Sequence, residues 1–391
     1  MRATVAAPPP LSLVATCSLG LEPILEAELA GLGHEGMALS PGGVRWRGSW
    51  ADLERANWRL RTANRVLVEI ARWRAPDGDA LHAGGRALVR GTAGIELLSP
   101  LDPAVWFDPD HPFALAATSS GSRVRDTRWA VLRVKDDLVD GQRERFGRRA
   151  DVDRRAPALP LRLRLAGDEA TLLLDSSGEP LDRRGYRVAS HGAPLREQLA
   201  AAAILASGWD GRGPVVDPMC GTGTLLAEAA ALALGLPPGR LRSGWAFERF
   251  PGFDARRFAA IRTEPLPCPG PEVVLFGNDR DPVALRAAAD NLARAGLAGR
   301  TRLTRGDAFD LAPPAGPGLV VVNPPYGERL AEDPGQWRRL GDLLKQRFRG
   351  WTAAVLAGDA ALGKHLGLRP RQRIPVRNGP LPMRILVLDL F

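Results

Sequence analysis

Two short stretches hold residue types that could do chemistry together. The first is Asp217-Pro218-Met219-Cys220-Gly221-Thr222-Gly223-Thr224, which follows the apolar run Pro214-Val215-Val216 and opens an Ala/Leu-rich segment, Leu225 to Leu234. That order reads as strand, glycine turn, helix. Such a turn brings bare backbone N–H groups, at a helix N-terminus, close to a ligand. A Walker phosphate loop would end in Gly-Lys-Ser/Thr, and this turn ends in Gly-Thr-Leu. The dinucleotide fingerprint needs a third glycine, and position 226 is Leu. What remains is a turn headed by a carboxylate, which suits a ligand carrying an ammonium group and hydroxyls. S-adenosylmethionine is such a ligand. Taken alone, the turn can also be read, less readily, as a tight strand–helix connection without a ligand.

The second stretch is Asn323-Pro324-Pro325-Tyr326-Gly327-Glu328-Arg329, at the end of the apolar run Leu319-Val320-Val321-Val322. A continuous apolar run reads as a buried parallel strand. Two prolines stop it, remove two donors and leave the carbonyls of Asn323 and Pro324 free. The Asn323 side chain adds an acceptor and Tyr326 a flat ring. Two acceptors and a stacking face match a planar base with an exocyclic NH2. The plainer reading is a strand-ending turn with a core tyrosine.

Further polar residues fall at strand ends. Asp279, in Gly277-Asn278-Asp279, could accept both hydroxyls of a ribose, and Asp307, followed by Ala308, could accept from an adenine amino group. Either could instead cap a helix, and Asp281-Pro282 is the better cap beside Asp279.

These residues need a sheet to bring them together. Strands are predicted at Pro214–Asp217, Val273–Asn278, Thr301–Thr304, Leu319–Val322, Ala353–Leu356, Gln372–Val376 and Met383–Leu390. Helices separate the earlier ones, and Arg377-Asn378-Gly379-Pro380 makes a terminal hairpin. This is a doubly wound α/β sheet with ligands at the carboxyl ends of its strands. A helix from Leu195 to Ser207, with Pro194 in its first turn, precedes it. The long connection after the glycine turn holds Trp245, Phe247, Phe250 and Phe253, which could flank a nucleotide or clip the domain surface.

Ahead of the sheet lie two smaller units. Leu11–Cys17, a helix from Leu21 to Ala30 capped by Ser18, strands at Met37–Leu39 and Gly43–Arg47, a helix opened by Ser49-x-x-Asp52, and a strand from Arg65 to Trp73 form a ferredoxin-like pattern. Pro76-Asp77-Gly78 marks a boundary. A second α/β unit follows. It has strands at Phe113–Ser119, Leu161–Leu165 and Ala170–Leu174, and a helix from Trp129 to Phe146 with Val131, Leu132, Leu138 and Val139 on its apolar side. Arg123, Arg125, Arg128, Arg143, Arg145, Arg148 and Arg149 give that unit a basic rim, suited to phosphates or simply solvated. The division is 1–73, 74–188 and 189–391, with Asp175 to Arg187 a linker that faces the substrate.

The chain of 391 residues has room for these domains and a full core. Lys+Arg is 53 against Asp+Glu 44, a net +9 that favours polyanion partners, although an arginine-preferring genome would give the same excess. Cys17, Cys220 and Cys268 are odd in number and far apart, which indicates neither disulfides nor a zinc site. No apolar run is long enough to span a membrane, so a cytoplasmic protein without a membrane partner or metal is expected.

With these residues in view, the chain resembles the THUMP-domain class I RNA methyltransferases, in particular the bacterial 23S rRNA guanine-N2 methyltransferase group. The resemblance runs from Ala15-Thr16-Cys17-Ser18-Leu19-Gly20-Leu21-Glu22 to Arg377-Asn378-Gly379-Pro380-Leu381, and is most specific at Arg133-Val134-Lys135-Asp136-Asp137, Leu174–Arg187, the glycine turn and Asn323–Leu330. It implies a ferredoxin-like domain, a THUMP RNA-binding domain and a Rossmann-like methyltransferase domain. S-adenosylmethionine is then expected at Asp217, Cys220, Gly221, Thr222, Gly223, Asp279, Asp307 and Ala308, and the amino group at Asn323-Pro324-Pro325-Tyr326. Some relatives carry a second methyltransferase domain, for which this chain leaves no room, and similar single-catalytic-domain proteins act on tRNA guanosine. Adenine-N6 methylation and a non-catalytic RNA-binding ribosome-assembly factor are the remaining alternatives. The oligomeric state is left open between monomer and homodimer.

Overall fold

The computed structural model of the chain describes residues 9–153, 155–192, 195–325, 334–358, 362–379 and 381–391. Two sheets organise it, one in each half.

The N-terminal half opens with β1 (Leu11–Thr16), α1 (Glu22–Gly31), β2 (Ala38–Ser40), β3 (Gly43–Gly48), α2 (Trp50–Arg59) and β4 (Arg65–Arg74), the expected ferredoxin-like order. Ser49 and Asp52 close a reciprocal capping box on α2. Ser18 does not cap α1: the helix starts after Leu21 with no side-chain cap, and Ser18 contributes its backbone carbonyl to the Leu21 N–H. The Pro-Asp-Gly boundary is the start of a helix, α3 (Gly78–Arg90), because the Asp77 carboxylate accepts from the Ala80 N–H. After β5 (Glu96–Leu97) and a single turn, α4 (Pro103–Trp106), come β6 (Phe113–Ser120), α5 (Thr127–Phe146), β7 (Leu159–Ala166) and β8 (Glu169–Asp175). Along α5 Leu138 and Val139 are buried as expected, whereas Leu132 is exposed and Ala130 and Val134 are buried in its place, so the stripe is rotated only in the first half of the helix.

The two N-terminal units share one sheet, in the order β2-β3-β1-β4-β8-β7-β6 with β5 beside β4. The join is the antiparallel pair β4–β8, which sets Val68 opposite Leu174. Alternation puts Leu13, Trp46, Val68, Leu163 and Leu172 in the core. The same alternation places Arg45, Arg65, Arg162 and Arg164 on the other face.

The C-terminal half begins with α6 (Glu197–Ala206), β9 (Val215–Asp217), α7 (Thr224–Ala233) and α8 (Ala255–Thr263). β10 (Leu275–Asp279), α9 (Pro282–Arg294), β11 (Thr301–Arg305) and β12 (Leu319–Val322) follow, then α10 (Pro334–Arg347), β13 (Thr352–Ala357), β14 (Gln372–Asn378) and β15 (Leu381–Asp389). Its sheet has the order β11-β10-β9-β12-β13-β15-β14. The first five strands are parallel, and β15 runs antiparallel to β13 and β14. All seven expected strands are present. Strand order reverses between β9 and β12, which pair side by side, so the crevice of a doubly wound sheet opens there.

The aromatic connection is a clip. Phe247 packs edge-on against Phe258 of α8, which meets Trp58 of α2, while Phe250 contacts Trp50 and Trp106. Three ion pairs lock the same seam: Arg257 with the buried Glu54, and Glu264 with both Arg55 and Arg59.

Candidate functional site

Each strand bordering the crevice ends in a polar residue or is followed at once by one. Asp217 closes β9 and is buried, and its Oδ1 accepts from the Met219 N–H at 3.1 Å. Burial pushes its carboxyl well above the usual carboxylate range; the charge of Asp279 pushes the same way and the Met219 N–H opposes. The glycine turn then folds back. Gly221 has φ +52° and Gly223 φ +81°, conformations that favour glycine. A side chain on Gly221 would meet none of the described residues within 4 Å, so this edge of the turn is open among them, whereas Gly223 packs on Leu292 and Ala288 of α9. Gly223 is also the N-cap of α7, with no side-chain cap on the helix's first N–H groups.

Asp279 closes β10 beside the turn. Its Oδ2 accepts from the Gly221 N–H at 2.9 Å and its Oδ1 from the Asp281 N–H at 3.0 Å. A carboxylate has about four lone-pair sites, so two remain for a ligand. The cap of α9 is Asp281, which accepts from Val283. Asp307 caps a single 3-10 turn, Ala308–Asp310, by accepting from the Phe309 N–H at 3.0 Å. Its Oδ2 lies 3.5 Å from Arg339 of α10, whose guanidinium covers the Phe309 ring. Ala308 is buried beside it. Cys220 is buried within the turn, and burial, first, together with the charges of Asp217 and Asp279, pushes its thiol well up. Thr222 is buried with its hydroxyl turned to the linker.

At the end of β12 the picture differs. Pro324 is buried and Pro325 exposed. The Asn323 Oδ1 is buried and accepts no hydrogen bond from the described residues. A buried acceptor without a partner is costly and calls for an explanation. Tyr326 and residues 327–330 lie outside the described residues, as do Pro194 and Pro380.

Sequence reasoning missed three residues that hold the crevice together. Asn278, buried, donates from Nδ2 to the carbonyls of Pro218 and Gly306, both at 3.1 Å, and its Oδ1 accepts from the Thr304 hydroxyl. It thereby ties the ends of β9, β10 and β11. Its signal was an amide next to Asp279 inside an apolar strand. Asn291 of α9 and Arg187 of the linker grip the glycine turn from behind. Neither has a local sequence signal, since their partners are remote in the chain.

The family described as "RMKL-like, methyltransferase domain" matches residues 184–386, the "RlmL ferredoxin-like domain" residues 12–67 and the "THUMP domain" residues 95–175. The chain belongs to the RMKL-like methyltransferase family. It is 34% identical over 387 residues to a "Putative RNA methyltransferase slr0064" of Synechocystis sp., covering 96% of each chain. It is 38% identical to the "Ribosomal RNA large subunit methyltransferase K/L" of Syntrophotalea carbinolica over 97% of this chain and 54% of that protein. The chain thus spans about half the length of the K/L relatives it matches. Among solved structures, "SMU.472, a putative methyltransferase complexed with SAH" superposes with a TM-score of 0.85 at 26% identity, over 98% of this chain and 99% of that one. The ferredoxin-like, THUMP and methyltransferase organisation of the family is the one described above. No helix among the described residues is long and apolar enough to cross a membrane.

Proposed function

We propose that the chain transfers a methyl group from S-adenosylmethionine to the exocyclic 2-amino group of a guanosine in structured RNA, with 23S rRNA the first target and tRNA guanosine the second. The observation that carries this reading is the buried, unpartnered Asn323 Oδ1 at the switch point, one strand from the glycine turn. Among the described residues it has no hydrogen-bond donor, and an amino group supplies one.

The residues fit the donor. The uncapped N-terminus of α7 suits its carboxylate, the open edge at Gly221 admits its chain, and the Asp217 carboxyl beneath the turn favours its ammonium. Asp279 has lone pairs left for ribose hydroxyls. Asp307, Ala308, Cys220 and Thr222 line the adenosyl side in this reading, with Asp307 accepting from the base. When bound, S-adenosylmethionine supplies an electrophilic methyl on a sulfonium sulfur. The chain's own part is to place the nucleophile. Asn323 Oδ1 and the Pro324 carbonyl accept the two amino hydrogens, which leaves the nitrogen lone pair free of them. Tyr326 stacks on the base, and the target is drawn out of its RNA structure to reach it. Acceleration comes from alignment and from fixed dipoles, and the amino proton leaves to water after transfer.

In this reading the chain works as three units, 1–73, 74–188 and 189–391, in the cytoplasm with RNA as its partner. The basic side supports that partner: Arg123, Arg125, Arg128 and Arg149 are exposed, and they make no ion pair among the described residues. Nucleosides from rRNA and tRNA of cells with and without the gene, identified by mass spectrometry, test the reading. Loss of N2-methylguanosine from 23S rRNA is expected. Loss from tRNA alone moves the target, loss of N6-methyladenosine changes the base, and no loss of any methylated amine overturns the proposal.

A further inference from the structure

The linker between the two sheets is fastened in both directions. Toward the N-terminal half, the buried Arg184 donates to the Arg61 carbonyl, and within the linker to that of Leu181 at 2.6 Å. Toward the catalytic half it pairs with Glu228 of α7 at 3.4 Å, and the Tyr186 hydroxyl donates to the same carboxylate at 3.2 Å. One turn earlier on α7, at Thr224, the helix is met by Arg187 of the linker. Its Nε donates to Glu197 at 2.9 Å, its Nη1 to the Thr222 hydroxyl at 3.3 Å, and its Nη2 to the Thr224 hydroxyl at 3.1 Å and the Leu195 carbonyl at 2.9 Å. The Val188 and Ala189 N–H groups donate to Asn291 Oδ1, and Asn291 Nδ2 returns a bond to the Thr222 carbonyl.

Thr222 and Thr224 flank Gly223, the left-handed residue on which the turn pivots. Both threonines are buried, and α7 lacks the Ser, Thr, Asp or Asn cap that ordinarily fixes a helix start. Arg187 supplies that restraint from outside the turn. Its planar fork reaches two hydroxyls at once, with Glu197 holding the charge in place.

We propose that Arg187 is a positioning residue for the methyl-donor turn: it fixes the two threonines on either side of Gly223, and so the backbone N–H groups that meet the donor. The proposal rests on the donor reading given above and assigns Arg187 no contact with substrate. Because the same linker is anchored at Arg61, the turn is also held to the N-terminal half.

Isothermal titration of the full chain with S-adenosylhomocysteine tests it. Arg187→Gln should weaken binding by roughly tenfold or more, Arg187→Lys by less, and filter binding of RNA should stay within about twofold for both. A Thr222→Val/Thr224→Val variant should show a similar loss, and adding Arg187→Gln to it should cost little more, since the three groups act as one unit. A merely structural role would multiply the two losses and lower RNA binding with them. Arg187→Gln that binds the probe as wild type does, or losses that multiply, overturns the proposal. Should Arg187→Gln fail to fold, unchanged affinity in the double threonine variant overturns it equally. Wild-type protein that binds no S-adenosylhomocysteine overturns the donor reading itself, and with it the proposal.

Discussion

The two sides of the crevice are built to different rules. On the β9–β10–β11 side these polar residues are already engaged: Asp217 with Met219, Asp279 with Gly221 and Asp281, Asp307 with Phe309, and Asn278 with Pro218, Thr304 and Gly306. On the β12 side the Asn323 Oδ1 is buried with no partner among the described residues. The first arrangement is a cradle fixed before any ligand arrives. The second is an acceptor left short of one donor; in the proposed reading the fixed side takes the molecule common to every turnover and the open side the group that must be recognised. Fixed donors and acceptors cost no reorganisation during reaction, and an unmet acceptor rejects ligands that bring no N–H.

The largest effect expected from breaking this contrast is at Asn323. Asn323→Ala removes the open acceptor and leaves the cradle intact. The rate of methyl transfer in a single turnover should fall by about 10²–10³-fold, as for loss of one well-placed polar group at a reacting centre. Affinity for S-adenosylhomocysteine, measured by titration, should stay within about twofold. Equal losses in both would mean that the two sides are not separate.

Next comes the cradle. Asp279→Ala frees the Gly221 and Asp281 N–H groups together and takes away the lone pairs open to a ribose. Donor affinity should drop by about 10–100-fold while RNA binding by filter assay is kept. Asn278→Ala acts one step back. It takes that donor from the carbonyls of Pro218 and Gly306 and leaves the Thr304 hydroxyl only the Gly277 carbonyl, at a cost of about 1–3 kcal/mol in a denaturant titration. Its effect on donor affinity should be smaller than that of Asp279→Ala. The reverse order would make Asn278, and not Asp279, the residue nearer the ligand.

The contrast also explains which parts of the molecule were legible in the sequence. The strands of the C-terminal sheet could be read because most are short apolar runs closed by a polar residue or a turn, while β11 and β14 alternate polar and apolar residues, and β12 ends where two prolines deny further pairing. The strand ends, and therefore Asp217, Asp279, Asp307 and Asn323, came with them. The pairing of β4 with β8 could not be read, because it joins segments about a hundred positions apart with no local signal of register. Helix α3 was hidden behind Pro76-Asp77-Gly78, a sequence that serves as a turn or as a cap depending on what its helix packs against. The grip of Arg187 and Asn291 was hidden for the same reason as the β4–β8 pair. Their side chains answer partners supplied by the fold, and an arginine in a polar linker looks solvated until those partners are placed.

The smallest effect belongs to Asp217, and its sign is the most informative. Burial raises its carboxyl well above the usual carboxylate range, so between the ordinary aspartate value and the raised one the folded protein holds a proton that the unfolded chain has lost. The native state then binds more protons than the unfolded state across that window, and stability of the unliganded protein falls as pH rises through it. A cation lodged over the turn favours the ionised carboxylate and reverses the shift. Donor binding should therefore release a proton and tighten as pH rises through the same window. Titrations with S-adenosylmethionine in buffers of different ionisation heat measure that proton directly. Asp217→Asn should abolish its release, weaken the donor by roughly tenfold, and raise the thermal midpoint of the unliganded protein at neutral pH by about 2–4 °C. A midpoint that falls instead would mean that the Asp217 carboxylate is stabilised by the turn it heads, and that the cradle is complete without a cation.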